Sequence, residues 1–190
     1  MDVSDRGKDP RKPRSQDSSS GAAARCPSVV SRQQWGAVAP RARSHMAGAA
    51  VRAVIHHTAL ASCGGADSCG ALARRIQRAH MEGRGFDDIG YNFLIGGDGS
   101  VFEGRGWGIV GAHAKRCNAD SLGIALMGHF SSEAPSLAAL SAARQLLDCG
   151  VAQGHLRPDF TLLGHRDVGD TECPGDQLYQ AMRQFANFKP

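Results

Sequence analysis

The stretch AVRAVIHHTA, residues 50–59, is apolar from 50 to 55 apart from Arg52 and then stops at His56-His57-Thr58. A short apolar run closed by polar residues reads as a buried β-strand. Successive side chains of a strand face opposite ways, so His56 and His57 point apart. A second short run, FTLL at residues 160–163, ends the same way, at Gly164-His165. In parallel or mixed sheets, ligand sites form just outside the strand ends. Two strand-end histidines therefore raise the question of a shared site. The segment after the second, GHRDVGDTECPGD at residues 164–176, is polar and rich in turn formers. It carries Cys173 eight residues beyond His165.

Working outward, IGYNFLI (89–95) and SVFEGRG (100–106) flank Gly96-Gly97-Asp98-Gly99, the pattern of a hairpin around an Asp-Gly turn. LGIALM (122–127) is a further apolar run of strand length. Three helices fit between the strands. Residues 70–83 hold Leu72, Ile76, Ala79 and His80 at helical spacing, with Arg74, Arg75 and Arg78 mostly opposite. Ser136 is an N-cap for a helix containing Leu137, Leu140, Leu147 and Val151. Residues 175–188 place Leu178, Met182 and Phe185 on one face. The expectation is an α/β fold: a single domain with a central mixed β-sheet of five to six strands flanked by three main helices. Its span is residues 26–190.

Residues 1–25 hold one residue from the group Ile, Leu, Val and Phe, among many Ser, Pro, Gly and charged residues. This composition reads as a disordered N-terminal tail, its KDPRKPR run solvated or, alternatively, a targeting patch. The tail lacks the apolar centre of a signal peptide. Six of the 22 Lys and Arg and four of the 18 Asp and Glu lie there, which leaves residues 26–190 at a net charge of only +2. A dedicated nucleic-acid surface is therefore not expected. No apolar run approaches the roughly 20 residues of a membrane span.

The cysteines are Cys26, Cys63, Cys69, Cys117, Cys149 and Cys173. With no signal peptide in view, they can be thiols of a reducing compartment or disulfides of an oxidising one. His56, His165 and Cys173 together suit zinc, which accepts imidazole nitrogen and thiolate sulfur. Three protein ligands would leave the fourth position open, as in catalytic sites. The spacing alone is also compatible with hydrogen-bonded histidines and a disulfide cysteine. Two further matches fail on context. Gly106, Gly108 and Gly111 fit GxGxxG, yet no helix pattern follows. His165-Arg166-Asp167 lacks the downstream residues of a kinase loop.

The blocks VSRQQWGA (30–37), VIHHTA (54–59), DIGYNFLIGGDGSVFEGRGW (88–107), GAHA (111–114), NADSLGIALMG (118–128), CGVAQG (149–154) and LLGHRDVGDTECPGDQLY (162–179) occur in that order. Together they resemble the peptidoglycan recognition proteins, animal relatives of the phage lysozyme-type, or type 2, zinc amidases. The resemblance covers residues 26–188. It implies zinc held by His56, His165 and Cys173, with Tyr91 and Thr171 beside it. It implies hydrolysis of the amide between the lactyl group of N-acetylmuramic acid and L-alanine of bacterial peptidoglycan, in innate antibacterial immunity. Zinc would supply Lewis acidity and an activated water. Tyr91 would hydrogen-bond the developing oxyanion, and Thr171 would position water or the departing amine. No Glu stands in an obvious position for a general base.

The same resemblance makes His80, Gly85, Phe86, Trp107 and His113 candidate contacts for muramyl peptides, with His57 either behind the site or in the core. The pair Gly85-Phe86 is a hybrid: Gly-Trp there goes with diaminopimelate-type peptides and Asn-Phe with lysine-type ones, so its first half favours diaminopimelate. Disulfides Cys26–Cys149 and Cys63–Cys69 are implied, with Cys117 left over. They favour secretion, whereas the missing signal peptide favours a cytoplasmic form. Members that only bind peptidoglycan typically lack the ligand Cys. Retention of Cys173 thus favours an enzyme over the alternative, a non-catalytic peptidoglycan receptor.

Overall fold

The computed structural model describes residues 26–190; the tail and the KDPRKPR run read over residues 1–25 lie outside the described residues. In chain order the main elements are β1 (Val29–Val30), α1 (Arg32–Trp35), β2 (Ala50–His57), α2 (Ala66–Arg78), β3 (Phe93–Ile95), β4 (Val101–Glu103), β5 (Ser121–Leu126), α3 (Leu137–Ala152), β6 (Leu156–Gly164) and α4 (Asp176–Met182). One six-stranded sheet runs β1-β4-β3-β5-β2-β6. The β3–β4 hairpin is antiparallel. Every other pairing is parallel, so the sheet is mixed. No described helix is long and apolar enough to cross a membrane.

Cross-strand partners share a face, and the register sorts the core into two halves. Ile55 pairs with Ile124, and Ile124 with Phe93. These three face α3 and α4, against Leu140, Leu146, Leu147 and Leu178. His56 pairs with Ala125, Ala125 with Leu94, and Leu94 with Phe102. Leu94 and Phe102 face α1 and α2, against Trp35, Ala73 and Ile76. His56 is thus a polar residue placed at the end of the second face. The Ser136 side chain caps α3 by accepting from the Ala139 N–H at 3.0 Å, as its sequence position suggests.

Several boundaries differ from the sequence reading. The strand read over 89–95 pairs only from Phe93, because Asn92 serves the loops instead. Its amide donates to the carbonyls of Gly106 and Ile109, and its oxygen accepts from the Gly123 N–H. The helix read over 70–83 begins at Ala66 and widens into a π-turn, Ala79–Gly83. The helix read over 175–188 ends at Met182, and the segment after it bends back so that Leu162 donates to the Asn187 carbonyl. Helix α1 and the edge strand β1 were not anticipated. Helix α1 is set by a capping box between Ser31 and Gln34.

Two disulfides fasten the periphery. Cys26–Cys149 joins the start of the described chain to α3, and Cys63–Cys69 joins the loop after β2 to α2. A buried polar knot holds the other side. Asp88, 1% exposed, pairs with Arg32 at 3.0 Å and accepts from Gln77 and from the Ile89 N–H, both at 2.8 Å. It ties α1 and α2 to the segment leading into Tyr91. Replacing Asp88 by Ala removes the counter-charge of the largely buried Arg32 and the acceptor of Gln77 and the Ile89 N–H, and is expected to cost about 3 kcal/mol of unfolding free energy, read from urea titration.

Candidate metal centre

Strands β2 and β6 are parallel neighbours whose last matched pair is Ile55 with Gly164. One residue further along each strand stand His56 and His165. Their ring centroids are 4.5 Å apart. Cys173 arrives from the loop after β6, its Sγ 3.8 Å from His56 Nδ1. Ligand atoms of His56, His165 and Cys173 all lie within 4.8 Å of one another. The sequence-predicted trio therefore converges at the carboxyl ends of β2 and β6.

The returning loop is pinned by its own residues. Asp167 accepts from the Gly164 N–H at 2.7 Å and from the Tyr179 hydroxyl at 2.6 Å. Arg166 bonds Asp176 at 2.8 Å and lies over the Tyr179 ring, and its backbone N–H donates to the Cys173 carbonyl at 2.8 Å. A Cβ on Gly164 would press on Tyr179 and Pro174 at about 3 Å, so the strand end must be bare for the loop to close. Thr171 accepts from the Cys173 N–H at 3.2 Å, which leaves its own hydroxyl proton free. The His57 N–H points at Cys173 Sγ, 3.4 Å away.

Electrostatics suit a metal. Burial lowers the pKa of His56 well below the usual value, with His113 and His165 adding to it, and burial also lowers that of His165. Both rings therefore keep a lone pair at neutral pH. Burial pushes the Cys173 thiol up to about 11, so an anionic sulfur there calls for a cation beside it. Two neutral imidazoles and a thiol make a donor set that fits zinc, and three protein ligands would leave a fourth position for water or substrate.

The remaining predicted residues fall into two groups. Tyr91 lies beside the trio, its ring 5.2 Å from His56, and burial followed by the Cys173 charge pushes its hydroxyl up to about 12. His80 is 5.5 Å from Tyr91, and Phe86 stands edge-on to His80 at 5.6 Å. Phe86, His80, Tyr91 and His56 thus form a row of rings running in towards the donors. Gly85, exposed with φ +70°, turns the chain just before Phe86. Trp107 is not brought to this row. It packs on Phe93 at 4.5 Å and stacks on His155 at 5.0 Å, on the α3 face opposite His56. His57 is half-buried, with Nδ1 accepting from the Phe130 N–H and its ring 5.4 Å from His129. His113 is buried against His56, Nδ1 to Nε2 at 3.0 Å. Sequence reasoning missed Ser121 and Asn118, which hold His113 from behind.

Residues 47–176 match the family profile Amidase_2, described as N-acetylmuramoyl-L-alanine amidase. The chain is 43% identical over 170 residues to Peptidoglycan recognition protein 1 of Bos indicus, covering 89% of this chain and 90% of that one. This chain belongs to the peptidoglycan recognition protein family. An N-acetylmuramoyl-L-alanine amidase of Sus scrofa is 42% identical over 167 residues, which is 86% of this chain but 28% of the pig protein. Among solved structures, a Drosophila PGRP-LB mutant in complex with tracheal cytotoxin superposes with TM-score 0.84 at 40% identity, over 85% of this chain and 96% of that one. The same ligand, bound to peptidoglycan recognition protein-LE in another neighbour, is described as monomeric diaminopimelic acid-type peptidoglycan.

Acid should unfold the metal-free chain early. Burial lowers His57, His80 and His113 from 6.5 to about 4 each. Between those values the unfolded chain takes up protons that the folded chain refuses, so stability falls as pH falls through that window. Urea midpoints of chelator-treated protein are expected to be clearly lower at about pH 5 than at about pH 7.

Proposed function

We propose that this chain is a zinc-dependent N-acetylmuramoyl-L-alanine amidase of innate antibacterial defence. It hydrolyses the amide between the lactyl group of N-acetylmuramic acid and the L-alanine of the peptidoglycan stem peptide. The convergence of His56, His165 and Cys173 within 4.8 Å carries this reading. The family match and the relative named as an amidase support it. Zinc, when bound, supplies Lewis acidity towards a carbonyl and lowers the pKa of water.

The protein's own residues supply the rest. His56 and His165 present neutral nitrogens and Cys173 a sulfur, all on strand ends or a pinned loop. Tyr91 keeps its proton, since its pKa is pushed up to about 12. Its hydroxyl is therefore a donor throughout the neutral range, suited to the oxyanion that develops on the attacked carbonyl. The Thr171 hydroxyl, with its proton uncommitted, orients water or the departing amine. Phe86 and His80 extend the row of rings outward as a wall for the muramyl peptide. Gly85, the first half of the hybrid pair Gly85-Phe86, together with the diaminopimelate-type ligand of a structural neighbour, favours diaminopimelate-type stems. The two disulfides fit an oxidising, extracellular setting.

The test is release of free peptide from a muramyl pentapeptide. Cleavage is expected with zinc, and neither with chelator nor in Cys173→Ser. Tyr91→Phe is expected to retain zinc and lose roughly 10²–10³ in kcat. A folded, zinc-loaded wild type that binds the peptide and leaves it intact would mean a receptor.

A further inference from the structure

Beyond the three donors, a chain of hydrogen bonds runs backwards from His56. Its Nε2 lies 3.0 Å from His113 Nδ1, and His113 Nε2 lies 3.4 Å from Ser121 Oγ. The Ser121 hydroxyl donates to the Cys117 carbonyl at 2.6 Å. A carbonyl only accepts, so the single proton of Ser121 is committed to it. Towards His113, Ser121 is left with a lone pair, which requires the proton of His113 on Nε2. A neutral His113 then has a bare Nδ1, which accepts from His56 Nε2–H. That leaves His56 Nδ1 bare, and Nδ1 is the nitrogen facing Cys173.

The chain is built rather than incidental. A Cβ on Gly111 or on Gly123 would collide with the His113 ring. Gly123 lies within β5, where a side chain would otherwise be expected. Two glycines are thus cleared for one imidazole. The backbone of His113 is fixed as well, since the N–H groups of His113 and Ala114 both donate to Asn118 Oδ1, at 2.9 and 2.8 Å.

We infer that His113 is a positioning residue for the metal centre: anchored by Ser121 and the Cys117 carbonyl, it holds His56 as the Nε2–H tautomer with Nδ1 free for the metal. This rests on the proposed zinc site, but the tautomer itself exists before any metal binds. The partner on the far nitrogen of a ligand histidine sets both its tautomer and its orientation, and losing such a partner typically weakens metal affinity 10–100-fold.

Two measurements test it. The first is long-range ¹H–¹⁵N NMR of the metal-free wild type, with His56 and His113 assigned. Both rings are expected to carry their proton on Nε2; a proton on His56 Nδ1 overturns the inference. The second is Co²⁺ affinity against a competing chelator, with the visible spectrum as a check on geometry. His113→Leu is expected to bind about 10–100-fold more weakly. His113→Asn, whose Oδ1 sits where Nδ1 was, is expected to recover most of that loss. Equal affinity of His113→Leu and wild type overturns the inference. Equal weakness of the Leu and Asn variants assigns the effect to packing and also overturns it. A wild type that shows the expected tautomer but takes up no Co²⁺ upholds the inference about His56 and removes the zinc reading instead.

Discussion

The in-register parallel pairing of β2 with β6 is the constraint on which the site depends. The residues are more than 100 apart in sequence, and the pairing sets His165 beside His56 one step past Ile55 and Gly164. A slip of one residue would turn every side chain of the strand to the other face, moving His56 into the α3 core and Ile55 into the site. Register is secured by the apolar face that Phe160 and Leu162 of β6 and Ile55 of β2 turn into the core under α3 and α4. Burial of the core thus also fixes the angle at which two imidazoles meet. The third donor needs a separate device, and the Asp167, Tyr179 and Arg166 contacts supply it by folding the loop back over the strand end.

Burial has a second consequence, for charge. The rings of His56, His80, His113 and His165 are all kept neutral by their surroundings. Neutral rings are what a metal and a directional hydrogen-bond chain both require. The same burial opposes a thiolate at Cys173. An anionic sulfur there therefore requires a cation beside it. Its cost appears in acid, where the neutral rings must take up protons.

Much of this was legible in the sequence because it is local. Apolar runs ending in His56 and His165 mark the strand ends, the Asp-Gly hairpin marks β3 and β4, and Ser136 marks the start of α3. The roles of Tyr91 and Thr171, and the choice of Cys173 over the other cysteines, came from the ordered blocks of family resemblance rather than from spacing. What escaped was non-local. Edge strand β1 is two residues long and exists by pairing with β4. Trp107 reads equally well as core or groove, and only the sheet's faces place it with α3. Nothing in GAHA says that His113 reaches His56; the hint was Gly123 in an otherwise apolar strand, a sign of close approach by another group.

The loop that carries Cys173 is held by contacts that involve no metal, and the sheet and disulfides are complete without it. The core is made of packed side chains, unlike a zinc finger, where the ion is the core. A single nucleotide change at the Cys173 codon, to Ser, would then remove the sulfur and leave the row of Phe86, His80 and Tyr91 standing. For the amidase proposed above, the architecture makes the passage from cutting a cell-wall fragment to merely sensing it a one-step evolutionary path.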